Sequence, residues 1–260
     1  MQTKEWHSDT HESHYLAVER VIAAMRERLH EPLSLEDMAD VAHLSPYHFN
    51  RVFHRLIGIP PGEFLTALHL NAARRLLLTT SLSVTDVCFE VGYASLGSFS
   101  TRFTQLVGLP PRHLRQLAEN FVMPSRESLP HSNIFSFCHV PFRGCFFGRI
   151  SASGNFVGLT YVGIFPKPIP QGRPIQWTLL PAPGIYLIKS LPDGCYYVLA
   201  AALPLSEEPK AYLLPDAALL VGMSEKPVQI CNGKMSGQPN IVLRPPRLTD
   251  PPIVVALPFL

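Results

Sequence analysis

The feature that most constrains this 260-residue chain is that it repeats itself once, at an offset of fifty positions. Ser45–Pro61 aligns with Ser95–Pro111, and Ser45/Ser95, Phe49/Phe99, Phe53/Phe103, Leu56/Leu106, Gly58/Gly108, Pro60/Pro110 and Pro61/Pro111 are identical pairs. Self-similarity at a fixed period sets the architecture before any single residue does, because each copy must be one supersecondary unit.

The first copy reads as two short helices. Ser34 is an N-cap and Asp37, three residues on, completes an acidic capping box. Leu35, Met38, Ala39 and Ala42 follow at helical spacing, which predicts a helix over 35–42. His43 and Leu44 make a tight turn. Ser45 caps a second helix with Pro46 at its first position, where a missing N–H costs nothing. Phe49, Val52, Phe53 and Leu56 form its inner stripe, while Tyr47, His48, Asn50, Arg51, His54 and Arg55 face outward. Gly58 ends it in a left-handed cap. Two helices joined by a turn of about three residues make a helix-turn-helix.

The second copy has the same grammar, with a turn one residue longer. Ser83 caps, Val84, Val87, Cys88 and Val91 form the stripe, Gly92-Tyr93-Ala94 turns, Ser95 caps again and Gly108 stops the last helix. Between the copies, Phe64, Leu65, Leu68, Ala72, Leu76 and Leu77 predict one longer helix from Pro61 to about Thr79. Its nineteen residues would span about 28 Å. A rod of that length can hold two reading helices about 34 Å apart, one DNA turn. A helical bundle with a duplicated packing unit and no nucleic-acid role is the alternative. The outward faces argue against it, because Arg and Asn are the side chains that bond base edges and phosphates.

Charge supports a local rather than a global interface. The net charge is only +2, and residues 1–120 carry eleven Lys plus Arg against thirteen Asp plus Glu. Within that stretch, residues 45–75 hold Arg51, Arg55, Arg74 and Arg75 against Glu63 alone, and residues 95–115 hold Arg102, Arg112 and Arg115 with no acid. A basic face of this kind is what phosphate contact requires, with a shallow salt dependence expected from its modest size. No apolar run reaches membrane length, and Met-Gln-Thr-Lys-Glu-Trp-His has no basic start followed by an apolar stretch. The five scattered cysteines, Cys88, Cys138, Cys145, Cys195 and Cys231, suit reduced thiols. A cytoplasmic protein without membrane partners is the expectation.

Past residue 120 the material changes. Six prolines precede residue 121 and twenty follow it. Short β-branched and aromatic runs replace the helical period: Ile134–Val140, Cys145–Ile150, Phe156–Phe165, Ile175–Leu180, Ile185–Ser190, Tyr196–Ala202, Ala217–Gly222, Val228–Cys231, Ile241–Leu243 and Ile253–Leu257. Short strands cut by regular turn signals argue for a β-sandwich or open barrel. The predicted organisation is a flexible leader at 1–14, a seven-helix double helix-turn-helix at 15–120, a linker at 121–133 and an all-β, sandwich-like sensor or dimerisation domain at 134–260. Tyr161, Trp177, Tyr186, Tyr196, Tyr197 and Tyr212 are candidates for a ligand pocket, against the plainer reading that strand aromatics fill a core.

Residues from about Leu16 to Asn120 resemble the DNA-binding domain of AraC/XylS-type bacterial transcription regulators. The resemblance is carried by Leu35–Ala42, Leu44–Arg55, Ala72–Leu78, Val84–Tyr93 and Phe99–Leu117. It implies seven helices with two helix-turn-helix units, and sequence-specific binding to double-stranded promoter DNA. It also implies RNA polymerase as a further partner and a partner domain that senses a small-molecule effector or dimerises. Carried over by position, it sends Tyr47, Asn50 and Arg51 toward bases and His48, His54 and Arg55 toward the DNA surface and its phosphates. In the second copy it implies Ser98 and Thr101 at bases, Leu96 and Gly97 at the tip, and Arg102 near the backbone. That copy departs from the family pattern at Thr101, where Arg is common, and at Gly97, where a larger residue is common. The first unit is therefore expected to dominate discrimination and the second to anchor.

Two other readings are weaker. His7, His11 and His14 have helical spacing for a metal site, but they lie in a polar leader and read as a solvated tail, so no metal or cofactor is expected. Cys138-His139 echoes the reactive pair of DNA alkyl-transfer enzymes, and neighbouring His can lower a thiol pKa. Phe137 and Val140 flank it where that family has Pro and Arg, so a repair enzyme using Cys138 is a remote alternative to a non-enzymatic regulator. A regulator whose C-terminal half is purely structural is the nearer alternative.

Overall fold

A computed structural model describes residues 3–120, 146–154, 156–188, 191–206, 210–214 and 219–257, with 3–10, 188, 210 and 211 described by backbone alone. Two units are defined by internal contacts. The first comprises Met1–Gln105, Pro110–Arg112 and Arg247–Val254, the second Leu106–Leu109, His113–Pro246 and Val255–Leu260. The expected boundary before a domain at 134–260 is thus crossed by the chain's end, because 247–254 groups with the helices. The linker at 121–133, the run Ile134–Val140 and Cys138 lie outside the described residues.

In the first unit, α1 spans Thr3–Glu27, α2 Leu35–Ala42, α3 Pro46–Ile57, α4 Pro61–Thr79, α5 Val84–Glu90 and α6 Leu96–Val107, with α7 at Pro111–Glu119. Residues 1–14, read as a flexible leader, are helical from Thr3 onward. No Pro or Gly interrupts that stretch, and Ala17, Val18, Val21, Ile22 and Met25 anchor the same helix in the core. The copies repeat in detail. Ser34 and Ser83 each accept from the amide three residues on, and Asp37 and Asp86 accept from the cap amides, so both capping boxes are complete. Phe49 meets Phe53 edge-on at 5.6 Å between centroids, and Phe99 lies tilted against Phe103 at 5.5 Å. One expectation fails: Ser45 holds the N-cap backbone conformation, but its hydroxyl makes no capping bond, and Pro46 alone fixes the entry of α3.

The turns differ by the one residue that the offset requires. The left-handed position is His43 (φ 55°) in the first copy and Gly92 (φ 81°) in the second. Behind each, a backbone amide reaches back to close the preceding helix, Leu44 to Ala39 O and Tyr93 to Cys88 O, both at 3.0 Å.

Among the described residues of the second unit, β1 (Phe146–Ala152), β4 (Ile185–Ile188) and β9 (Ile241–Leu243) form a sheet in the order β4-β1-β9. A second sheet runs β3 (Gln176–Leu180), β2 (Gly158–Phe165), β5 (Gly194–Pro204), β7 (Val228–Cys231), β8 (Lys234–Ser236), with β6 (Leu220–Met223) also on β5. Ile150, Tyr186, Ile241 and Leu243 of the small sheet share one core with Val162, Ile164, Val198, Ala200 and Ile230 of the large one, which is the sandwich-like arrangement expected. A one-turn helix α8 (Lys210–Leu213) and the parallel pairing of β1 with β9 depart from a purely antiparallel, all-β design. Strand β8 escaped the sequence reading although Asn232-Gly233 (φ 51° and 69°) is a two-residue hairpin turn. Ile253–Leu257 is no strand: Val255 donates to Pro170 O, and no ladder forms.

Candidate nucleic-acid interface

Helix α3 separates its residues cleanly. Phe49, Val52, Phe53 and Ile57 are buried, and Asn50, Arg51, His54 and Arg55 are exposed. Tyr47 is 79% exposed despite its size, and the Arg51 guanidinium lies 6.0 Å from its ring centroid. A large aromatic held in solvent beside a stacked cation is costly for a helix that serves only packing, and it suits a face that meets a flat, anionic partner.

His48 behaves differently from its neighbours. It is half-buried, with its ring tilted against His14 of α1 at 5.4 Å between centroids, and the two Nε2 atoms are 3.5 Å apart. Partial burial, then the nearby His48, Arg55 and His11, hold the His14 imidazole below its ordinary pKa. The sequence grouped His48 with the outward side chains; its ring is instead engaged by α1, which sequence periodicity within α3 does not reveal.

Helix α6 exposes Leu96, Gly97, Ser98, Thr101 and Arg102 over a buried Phe99 and Phe103. A Cβ on Gly97 would meet nothing within 4 Å, so the tip is open space. Ser98 is committed to the helix start: its amide donates to Ser95 Oγ at 3.3 Å and its hydroxyl to Ser95 O at 3.0 Å. That leaves Thr101 and Arg102 as the exposed polar groups on the first two turns beyond the cap. Burial raises the Tyr93 phenol, and nearby Arg102 opposes that rise.

Arg74 is not part of the basic face expected for residues 45–75. It is 4% exposed, with Nη1 donating to Val254 O at 3.3 Å and Nη2 to Asn71 Oδ1 at 3.0 Å. Its role is internal, tying α4 to the 247–254 segment, whose Thr249 hydroxyl also meets the Tyr15 hydroxyl at 3.4 Å.

The aromatic candidates of the second unit do not converge. Strand alternation and register put Tyr161, Trp177 and Tyr197 on one face of the large sheet, since Gly163 pairs with Trp177 and Phe165 with Tyr197. Tyr186 and Tyr196 belong to the core on the other face, and their hydroxyls donate to Pro239 O and Pro192 O. Burial pushes the Tyr161 phenol up to about 12, with Tyr212 adding to the rise. Among the described residues no group of three His, Cys, Asp or Glu side chains is placed to hold a metal.

A family model described as a helix-turn-helix domain matches residues 38–117. The transcriptional activator AarP of Providencia stuartii is 30% identical over 94 residues, which cover 36% of this chain and 70% of AarP. The bifunctional transcriptional activator and DNA repair enzyme AdaA of Bacillus subtilis is 35% identical over 89 residues, 34% of this chain and 42% of AdaA. The regulator GbdR of Pseudomonas aeruginosa is 31% identical over 99 residues, 27% of its own length. This chain therefore spans less than half of AdaA and of GbdR. Among solved structures, an AraC-type DNA-binding domain protein from Chromobacterium violaceum aligns with 28% identity and a TM-score of 0.39, over 40% of this chain and 93% of that one. With paired capping boxes, paired turns and paired second helices in place, and with AarP matched over most of its length, the chain belongs to the AraC/XylS family of helix-turn-helix transcriptional regulators.

Proposed function

We propose that this chain binds double-stranded promoter DNA by laying α3 and α6 into adjacent major grooves, that it regulates transcription in concert with RNA polymerase, and that it does so without catalysis. The observation that carries the reading is the solvent-held pair Tyr47 and Arg51, beside exposed Asn50, on a helix whose opposite face is fully buried. Arg51 supplies a bidentate donor for guanine and Asn50 a donor–acceptor pair for adenine, while Thr101 offers only one hydroxyl and a methyl. The ranking follows from that chemistry: α3 discriminates and α6 anchors.

Fluorescence anisotropy with single-base operator variants tests it. Arg51→Ala is expected to cost about 1–3 kcal/mol and to relax discrimination at one position, and Thr101→Ala to weaken all sequences by a similar, smaller amount. A larger loss of discrimination from Thr101→Ala would overturn the ranking. For the second unit, the division of Tyr161, Trp177 and Tyr197 from Tyr186 and Tyr196 between two sheet faces favours a structural or dimerisation role over a sensor pocket built from those five side chains.

A further inference from the structure

We propose that His14 and His48 form a chelating site for a divalent late transition metal ion, of the zinc or nickel kind, bridging α1 and α3. The two Nε2 atoms are 3.5 Å apart, with the ring centroids 5.4 Å apart and the rings tilted by 56°. That separation is long for a nitrogen–nitrogen hydrogen bond. It is the bite of two ligands on one ion: with metal–nitrogen bonds of about 2.0–2.1 Å, the two nitrogens subtend about 115° at the metal, near the tetrahedral value. The rings supply the ligand type that such ions favour.

Among the described residues no third His, Cys, Asp or Glu side chain joins the pair, so water would fill the remaining coordination positions. His11 lies one turn before His14 on the same face of α1 and is exposed. The ion would clamp α1 to the helix that carries Tyr47, Asn50 and Arg51. That consequence rests on the reading of α3 as a DNA-reading helix; the site itself does not.

Cobalt(II) and zinc titrations of the full chain without DNA test the site separately from that reading. One ion per chain is expected, with the visible absorption of a nitrogen- and oxygen-ligated cobalt and no ultraviolet thiolate band. Zinc is expected to raise the Tm by about 5 °C at saturation. His14→Gln and His48→Gln should each weaken binding at least about tenfold, and His11→Ala, at an exposed position, less than either. Imidazole nitrogen NMR of the wild type, in which two Nε2 signals should shift on adding zinc, serves if a Gln variant fails to fold. Absence of binding, retention of full affinity in both Gln variants, a thiolate band, or unshifted imidazole nitrogens would overturn the proposal.

Discussion

At the scale of single residues, the two copies act as controls for each other. The turn of each helix-turn-helix needs one residue with positive φ, and the chain uses His43 in one copy and Gly92 in the other. A side chain in the left-handed region is strained, so His43→Gly is expected to stabilise the first unit by about 0.5–1 kcal/mol. The reciprocal change, Gly92→Ala, should destabilise by about 1–2 kcal/mol, because its Cβ would also sit 3.1 Å from Leu29 O. Urea denaturation of both variants checks the pair; a loss of stability in His43→Gly would contradict it. The position of Gly92 was legible in the sequence because glycine advertises the turn. The pairing of His48 with His14 was not, since it depends on how α1 packs across α3 and no pattern within either helix encodes it.

At the scale of elements, the helical half is legible in the sequence: the spans 35–42 and 61–79, the Ser34–Asp37 capping box and the Ser83 cap match the structure, since each rests on local chemistry of a few adjacent residues. The misreadings have non-local causes. Arg74 looked like one more phosphate-facing cation, yet α4 buries it and uses it to hold Val254 O and Asn71. Hydrogen bonds from a charged, buried donor contribute about 1.5–3 kcal/mol each, so Arg74→Ala should lower stability by about 2–3 kcal/mol, whereas Arg75→Ala, at an exposed neighbour, should change it by less than about 0.5 kcal/mol. Equal effects of the two in urea denaturation would contradict this assignment. In the second unit, β2 is buried along its whole length between β3 and β5, so it carries the continuous apolar run of a central strand rather than an alternation. Its aromatic neighbours therefore read as one cluster in sequence and divide between two faces in space.

At the scale of the whole molecule, histidine sets the response to acid. His14 and His69 both hold protons less tightly in the fold than the ordinary value of 6.5, His14 through partial burial and its charged neighbours, His69 through burial that the Leu29 carbonyl only partly offsets. The unfolded chain thus takes up these protons first, so the stability they contribute is fully present above about pH 6.5 and is lost as the pH falls below it. The Tm is expected to fall between about pH 7.5 and 5.5, and His69→Gln to flatten that slope; a pH-independent Tm over that range would be the opposite result. The division into a duplicated helical half and a β-rich half was visible in proline usage and periodicity. The return of residues 247–254 to the helical unit was not, because it depends on single long-range contacts such as the one from Arg74.

The proposal that α3 and α6 read adjacent half-sites is tested most directly by hydroxyl-radical footprinting on duplexes selected from random DNA. Two protected half-sites are expected on one face of the duplex, with centres about 10–10.5 base pairs apart. Inserting five base pairs between them should weaken binding at least about tenfold, because it turns one half-site to the far side of the helix. A single protected block indifferent to the insertion, or no selected sequence at all, would contradict the account.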